Sequence, residues 1–248
     1  MELSQNTVVI TGGTSGIGLG LARRFVTAGS HVLLCGRRKD RLEEIARSHS
    51  GVETFCCDLS LAEERERFVQ WAIEQHPGAN VLINNAGVQL LTDLTRPVDL
   101  TRVRSEIETN LIAPLHLASL FAPHLRTKSH AAIVNISSGL AMVPLAFIPV
   151  YCATKAALHS LTLSLRYQLR ETKIKVFEIA PPAVDTELGQ DRRTDKAQSH
   201  GGMAIEPFLD AAMAALSSDR FEAPIGDSKA RWEDKQDAFE AMNAKVRG

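Results

Sequence analysis

Paired cysteine is the first thing this chain lacks. Its 248 residues hold four Cys. Cys56 and Cys57 are adjacent, Cys35 and Cys152 stand alone, and there is no C-x-x-C. That excludes a small secreted disulfide framework and disfavours a paired-thiolate zinc site. The eight His are scattered with no H-E-x-x-H, so no metal site is expected. A surplus of either charge is also missing: 28 Lys and Arg face 29 Asp and Glu, a net charge of -1. Nucleic acid and anionic membranes both reward excess positive charge, so neither is expected as a partner. No run of ~18 apolar residues occurs, and the short polar stretch Met1 to Asn6 is no signal-peptide core, which makes the cytoplasm the expected compartment. Hydrophobic residues at 44% and charged residues at 23% match a soluble globular chain. At ~150 residues per domain the length suits one α/β unit, so residues 1–248 are expected to form a single domain.

The hydrophobic period alternates along the chain. Short apolar, β-branched runs predict strands over Thr7–Thr11, His31–Cys35, Val52–Cys57, Val81–Asn84, Ala131–Ser137 and Lys175–Ala180. Between them, 3.6-residue patterns predict helices over Leu19–Ala28, Lys39–Ser48, Leu61–His76, Leu100–Leu125 and Tyr151–Thr172, with Pro114 expected to kink the fourth. Strand and helix alternating in this way imply an α/β fold, a doubly wound parallel sheet with helices on both faces. The strands are apolar almost throughout, as strands buried on both faces must be. Beyond them, residues 185–203 are polar and weakly periodic, the composition of a substrate lid or a loose loop. Glu206–Ser217 reads as a helix, Phe221–Ile225 as a short strand, and residues 229–248 as a charged tail.

Thr11 to Gly18 reads T-G-G-T-S-G-I-G between the first strand and first helix. Gly12, Gly16 and Gly18 there let a diphosphate reach the helix N-terminus, where unpaired N–H groups and the helix dipole favour anions. Dinucleotide folds that bind a free ribose 2′-hydroxyl place a carboxylate at the end of the second strand. Here that position is Gly36, followed by Arg37 and Arg38. A guanidinium matches a phosphate through charge-assisted bonds, so NADP(H) is the expected cofactor. Arg38 either adds a second contact or opens a solvated helix.

Further on come N-N-A-G at Asn84 to Gly87, Ser138 at the end of the fifth strand, and Tyr151-Cys-Ala-Thr-Lys155. Spacing of i and i+4 stacks Tyr151 and Lys155 on one helix face. A phenol titrates near ~10, and a neighbouring ammonium favours its phenolate.

Taken in order, the glycine loop, N-N-A-G, a Ser thirteen residues before the Tyr, and Y-x-x-x-K resemble the short-chain dehydrogenase/reductase family over residues 7–186. The resemblance implies a Rossmann-type sheet, a nicotinamide cofactor and a catalytic tetrad of Asn110, Ser138, Tyr151 and Lys155. It assigns adenine contact to Asp58 and the 2′-phosphate to Arg37. It adds Thr14, Ser15, Ile17, Leu59, Asn85, Ala86, Gly87, Asn110, Tyr151, Lys155, Pro181, Val184 and Thr186 to the cofactor site. Tyr151 would exchange a proton with the substrate oxygen and Ser138 would hold that oxygen. Lys155 would bond the nicotinamide ribose, and Asn110 would support a water that reloads the proton.

Two features depart from the family pattern. Pro181-Pro182 stands where Pro-Gly is usual, and the C-terminus lacks the glycine-rich strand of tetrameric members, which leaves a homodimer as the expected assembly. Both features are similar to the DltE-like bacterial branch. Ser138, Leu140, Val143, Phe147 and Tyr151 are the expected substrate contacts, although several of the apolar ones would serve equally as internal packing. The reading is a carbonyl reductase or alcohol dehydrogenase acting on a small-molecule carbonyl or secondary alcohol, expected to be apolar or aromatic. A dehydratase or epimerase on the same scaffold, or a cofactor sensor without turnover, are the alternatives.

Overall fold

The computed structural model describes residues 1–189 and 201–232. Seven strands form one sheet: β1 (Thr7–Thr11), β2 (His31–Gly36), β3 (Val52–Cys56), β4 (Ala79–Asn84), β5 (Ala131–Ile136), β6 (Ile174–Ala180) and β7 (Glu222–Pro224). Their order is β3-β2-β1-β4-β5-β6-β7, and every neighbouring pair is parallel. The order reverses direction between β1 and β4, and at such a switch point the loops leaving the two strands diverge and open a crevice.

Successive side chains of a strand point to opposite faces, and the core divides accordingly. Val8, Ile10, Val32, Leu34 and Ile83 pack on one face with Leu21 and Phe25 of α1 (Gly16–Thr27), Ile45 of α2 (Lys39–Ser48) and, from further along the chain, Phe208 and Leu209. Val9, Leu33, Leu82 and Ile133 pack on the other with Phe68 of α3 (Ala62–Gln75) and with Leu117 and Phe121. Phe25, Phe68, Phe121 and Phe208 are fully buried, each worth about 1.5–3 kcal/mol of transfer free energy. Asn84 donates to Asn135 at 2.9 Å, and Asn135 donates to Thr162 at 2.9 Å, so the register of β4 on β5 is also fixed by a buried polar ladder.

Three sequence expectations change. First, α1 begins at Gly16, three residues earlier than its apolar pattern. Gly16 and Gly18 carry no side chain to show a period, yet they form its first turn. Second, the predicted helix over Leu100–Leu125 is not one kinked rod. It is α4 (Leu100–Ile107), a π-helical turn over Glu108–Ile112, and α5 (Ala113–Leu125). Pro114 sits at the tolerant start of α5, where its missing N–H is not needed. It cannot donate to the carbonyl four residues back, that of Asn110, so the irregular turn precedes it. Third, α6 spans Pro149–Gln168, so it starts two residues before Tyr151 and ends four residues before the expected Thr172. The last helix, α7, spans Ile205–Ser217. Of the expected lid, residues 190–200 lie outside the described residues, as does most of the tail from 233 onward. Among the described residues no helix is long and apolar enough to cross a membrane.

Candidate active site

A cleft of about 570 Å³ opens where β1 and β4 diverge. Gly12 forms its floor with φ of +68°, and a Cβ there would lie 2.7 Å from the Ala86 backbone. Only glycine permits both that conformation and that approach. The two loops are laced together. Thr11 Oγ1 accepts from the Asn85 and Ala86 amides at 3.0 Å, and Asn85 Nδ2 donates to the Thr11 carbonyl at 2.9 Å. Ser15 ends the loop in extended backbone, and α1 starts at Gly16, so the positive end of its dipole faces the cleft. Across the cleft, a Cβ on Gly16 would lie 3.3 Å from Thr186.

At the end of β2 the two arginines differ. The Arg37 side chain is exposed, and no hydrogen bond or ion pair of its guanidinium occurs among the described residues. Arg38 is committed. It donates to Thr14 Oγ1 at 2.7 Å, to Ser15 Oγ at 2.7 Å and to Glu187 Oε2 at 2.7 Å. Arg41 holds the other Glu187 oxygen at 2.9 Å. Burial pushes the Glu187 carboxyl up, but hydrogen bonds from Arg38, Ser15 and Arg41 outweigh it and hold the group below its ordinary range. Gly36 has a steric reason as well as an electrostatic one: a Cβ there would sit 2.8 Å from Thr14 Cγ2. Asp58 lines the same end, accepting from the Ser60 amide at 2.9 Å, with Leu59 beside it.

Tyr151 and Lys155 project from α6 into the cleft with Ser138 opposite, at the end of β5. All three are buried. The Lys155 ammonium lies 5.7 Å from the centre of the Tyr151 ring and donates to the Ile136 carbonyl at 2.8 Å. Burial pulls the Lys155 pKa down to about 8, against the opposing pull of the Glu178 carboxylate. Glu178 is fully buried in β6 and takes a 2.7 Å contact from His159 Nδ1, one turn along α6 from Lys155. Ser138 Oγ accepts from the Leu140 amide at 3.1 Å. Behind this turn Gly139 is required, because a Cβ would meet Ser228 Oγ at 2.2 Å. The Gly139 amide bonds the Pro181 carbonyl at 2.9 Å, so the Pro-Pro turn is fixed through an acceptor and needs no glycine conformation there.

The cleft therefore gathers Gly12, Thr14, Ser15, Gly16, Ile17, Arg37, Arg38, Asp58, Leu59, Asn85, Ala86, Gly87, Ser138, Tyr151, Lys155, Pro181, Val184 and Thr186. Two expected residues stand behind the lining. Gly18 is packed under the loop, where a Cβ would collide with the Gly12 carbonyl at 2.5 Å. Asn110 is fully buried, and its side chain braces Val88, accepting from its amide and donating to its carbonyl, both at 2.8 Å. On the substrate side, Ser138 and Tyr151 line the cleft and the three apolar residues do not. Leu140 packs on Ile148, Tyr151 and Cys152, while Val143 and Phe147 are about half exposed outside the cleft. Sequence reasoning missed Glu187, whose only signal was its place one residue after Thr186, and Glu178, a carboxylate in a strand that is buried except at Lys175.

Residues 6–197 match the family described as short chain dehydrogenase. The chain is 44% identical to the uncharacterized oxidoreductase DltE of Bacillus subtilis, over 90% of this chain and 88% of that one. It is 36% identical to sulfoacetaldehyde reductase 2 of Chromohalobacter salexigens, over 73% of each. Among solved structures it resembles a short-chain dehydrogenase from Sphingobium yanoikuyae in complex with NADPH, with a TM-score of 0.83 and 29% identity, over 96% of this chain and 95% of that one.

Proposed function

This chain belongs to the short chain dehydrogenase family of oxidoreductases, and from that premise we propose that it is an NADP(H)-dependent carbonyl reductase or alcohol dehydrogenase with Tyr151 as general acid and base. The observation that carries the reading is the Tyr151–Lys155–Ser138 group, buried at one end of a glycine-floored cleft whose other end carries the Arg37 guanidinium.

The cleft fits a dinucleotide by its own construction. The positive φ of Gly12 and the start of α1 suit a diphosphate. Arg37 would take the 2′-phosphate, Asp58 and Leu59 would border the adenine, and Lys155 and Thr186 would hold the nicotinamide half. When bound, the cofactor supplies the hydride. Tyr151 protonates the substrate oxygen in reduction and removes the proton in oxidation. Ser138 orients that oxygen. Lys155 stabilises the phenolate that remains once the proton has left. Asn110 is a positioning residue: it fixes the Val88 backbone along the wall of the cleft.

The reading extends to an apolar substrate. Leu91 and Leu94 on one loop, and Val143, Leu145 and Phe147 on another, are exposed, and the Thr92 amide joins the two loops by bonding the Phe147 carbonyl at 3.2 Å. Beside that rim, Val184 and Met203 join in a β-bridge. A homodimer would use the exposed Leu115, Leu163 and Tyr167 of α5 and α6.

Equilibrium binding of NADPH and NADH, followed by turnover against a panel of apolar aldehydes and ketones, tests the reading. Tighter NADPH binding with turnover is expected. Preference for NADH, or cofactor binding without turnover on any carbonyl, would count against it.

A further inference from the structure

Three side chains lie outside the cleft, at the opposite end of the sheet. His31 opens β2, Glu53 lies in β3, and His76 follows the last turn of α3. Glu53 pairs with Leu33, two residues beyond His31, so His31 and Glu53 share the sheet face that α3 covers. His31 Nε2 lies 3.0 Å from one Glu53 oxygen and His76 Nε2 lies 3.3 Å from the other. The two imidazole nitrogens and the carboxylate oxygen all fall within 4.8 Å of one another. His76 Nε2 is buried and makes no hydrogen bond, its Glu53 neighbour lying at ion-pair distance only. Such a nitrogen is costly unless something binds it.

We propose that His31, Glu53 and His76 form a binding site for a divalent transition metal of the zinc class. The spacing agrees with this chemistry. A tetrahedral ion with bonds of ~2.0–2.1 Å sets its ligand atoms about 3.4 Å apart and the centres of two Nε2-bound imidazoles about 5.2 Å apart. The His31 and His76 rings are 5.4 Å apart. Two imidazoles and one carboxylate suit Zn²⁺, Ni²⁺ or Cu²⁺, whereas Mg²⁺ and Ca²⁺ require oxygen ligands. His31 and Glu53 are partly exposed, so the ion has an entry path and a fourth position for water. It would tie the starts of β2 and β3 to the end of α3, far from the cleft. The scattered His of the sequence concealed this, because the three residues are more than twenty apart in sequence, and it is the β2–β3 pairing that brings His31 beside Glu53 and the end of α3 that brings His76.

The test uses the full chain without a histidine tag, stripped by a chelator. Zn²⁺ is titrated by calorimetry and Co²⁺ by its visible spectrum. One equivalent of Zn²⁺ is expected, with intense tetrahedral Co²⁺ bands and a melting temperature raised by about 5 °C in saturating Zn²⁺. His76→Gln and Glu53→Gln should each weaken binding by roughly 100-fold or more, while His130→Gln leaves it unchanged. Glu53→Gln keeps the side-chain shape and decides the matter if His76→Gln fails to fold. No one-site binding, or binding that survives both substitutions as a Cys56 thiolate site would, overturns the proposal.

Discussion

His159 Nδ1 lies 2.7 Å from Glu178 Oε2, one helical turn from Lys155, and so a fully buried carboxylate stands behind the ammonium of the active site. Around this pair are Arg166, which bonds Glu222, and Trp232, which meets the His159 ring edge-on at 5.1 Å. Burial lowers the Lys155 pKa to about 8, and Glu178 limits the fall. The ammonium is therefore present below about pH 8 and is lost above it. The cost of burying it is fully felt below that pH and is relieved as pH rises toward 10.5, the ordinary value. Cofactor affinity and kcat/KM for reduction should decline above about pH 8. Glu178→Gln removes the opposing charge and should move that decline to lower pH. A pH profile of kcat/KM for both proteins checks this, and an unmoved alkaline limb in the variant would contradict it.

Arg37 and Arg38 should separate in mutation. Arg37→Ala should weaken NADPH binding by roughly 10- to 150-fold, the worth of one charge-assisted hydrogen bond, and leave NADH binding nearly unchanged. Arg38→Ala releases Thr14, Ser15 and Glu187 together, so it should weaken both cofactors. Gly36→Asp should not convert the preference by itself, because its Cβ strikes Thr14, whose hydroxyl is held by Arg38. Dissociation constants of both cofactors for the three variants distinguish these outcomes. An Arg37→Ala protein that loses NADPH and NADH equally would remove Arg37 from the 2′-phosphate.

Cys152 should be structural although it follows Tyr151. Its thiol is buried against Leu145, with Sγ 3.3 Å from the Leu145 amide, and it points ~100° around the helix from Tyr151. Cys152→Ala should retain most of the turnover and lose about 1 kcal/mol of stability, as small buried truncations do. Loss of turnover at unchanged melting temperature would show a chemical role.

The sheet was legible because its strands carry unbroken apolar runs and its helices a 3.6-residue stripe, so β1 to β6 fall close to their expected bounds. The start of α1 was hidden by the glycines that make it useful. The π-helical turn at Asn110 was read as a kink because a proline in an apolar stripe does not reveal on which side the irregularity falls. In the cleft, Tyr151, Lys155, Ser138 and the glycine loop were legible as motifs with fixed spacing. Glu187 and Glu178 were not, since each acts through a partner more than eighteen residues away, Arg38 for one and His159 for the other. The places of the apolar residues after Ser138 were not legible either, because hydrophobicity alone does not distinguish Leu140, which packs on Tyr151, from Phe147, which is half exposed.

The most direct test of the central claim is NADPH oxidation by the wild type and by Tyr151→Phe, measured with one accepted carbonyl alongside NADPH affinity. Phenylalanine keeps the ring that packs beside Leu140 and Ile148 and removes only the hydroxyl. Cofactor affinity should stay within about twofold of the wild type, since that packing is preserved, and kcat should fall roughly 10²-fold or more, the scale of a general acid's contribution. A Tyr151→Phe protein that binds NADPH normally and turns over at the wild-type rate would contradict it.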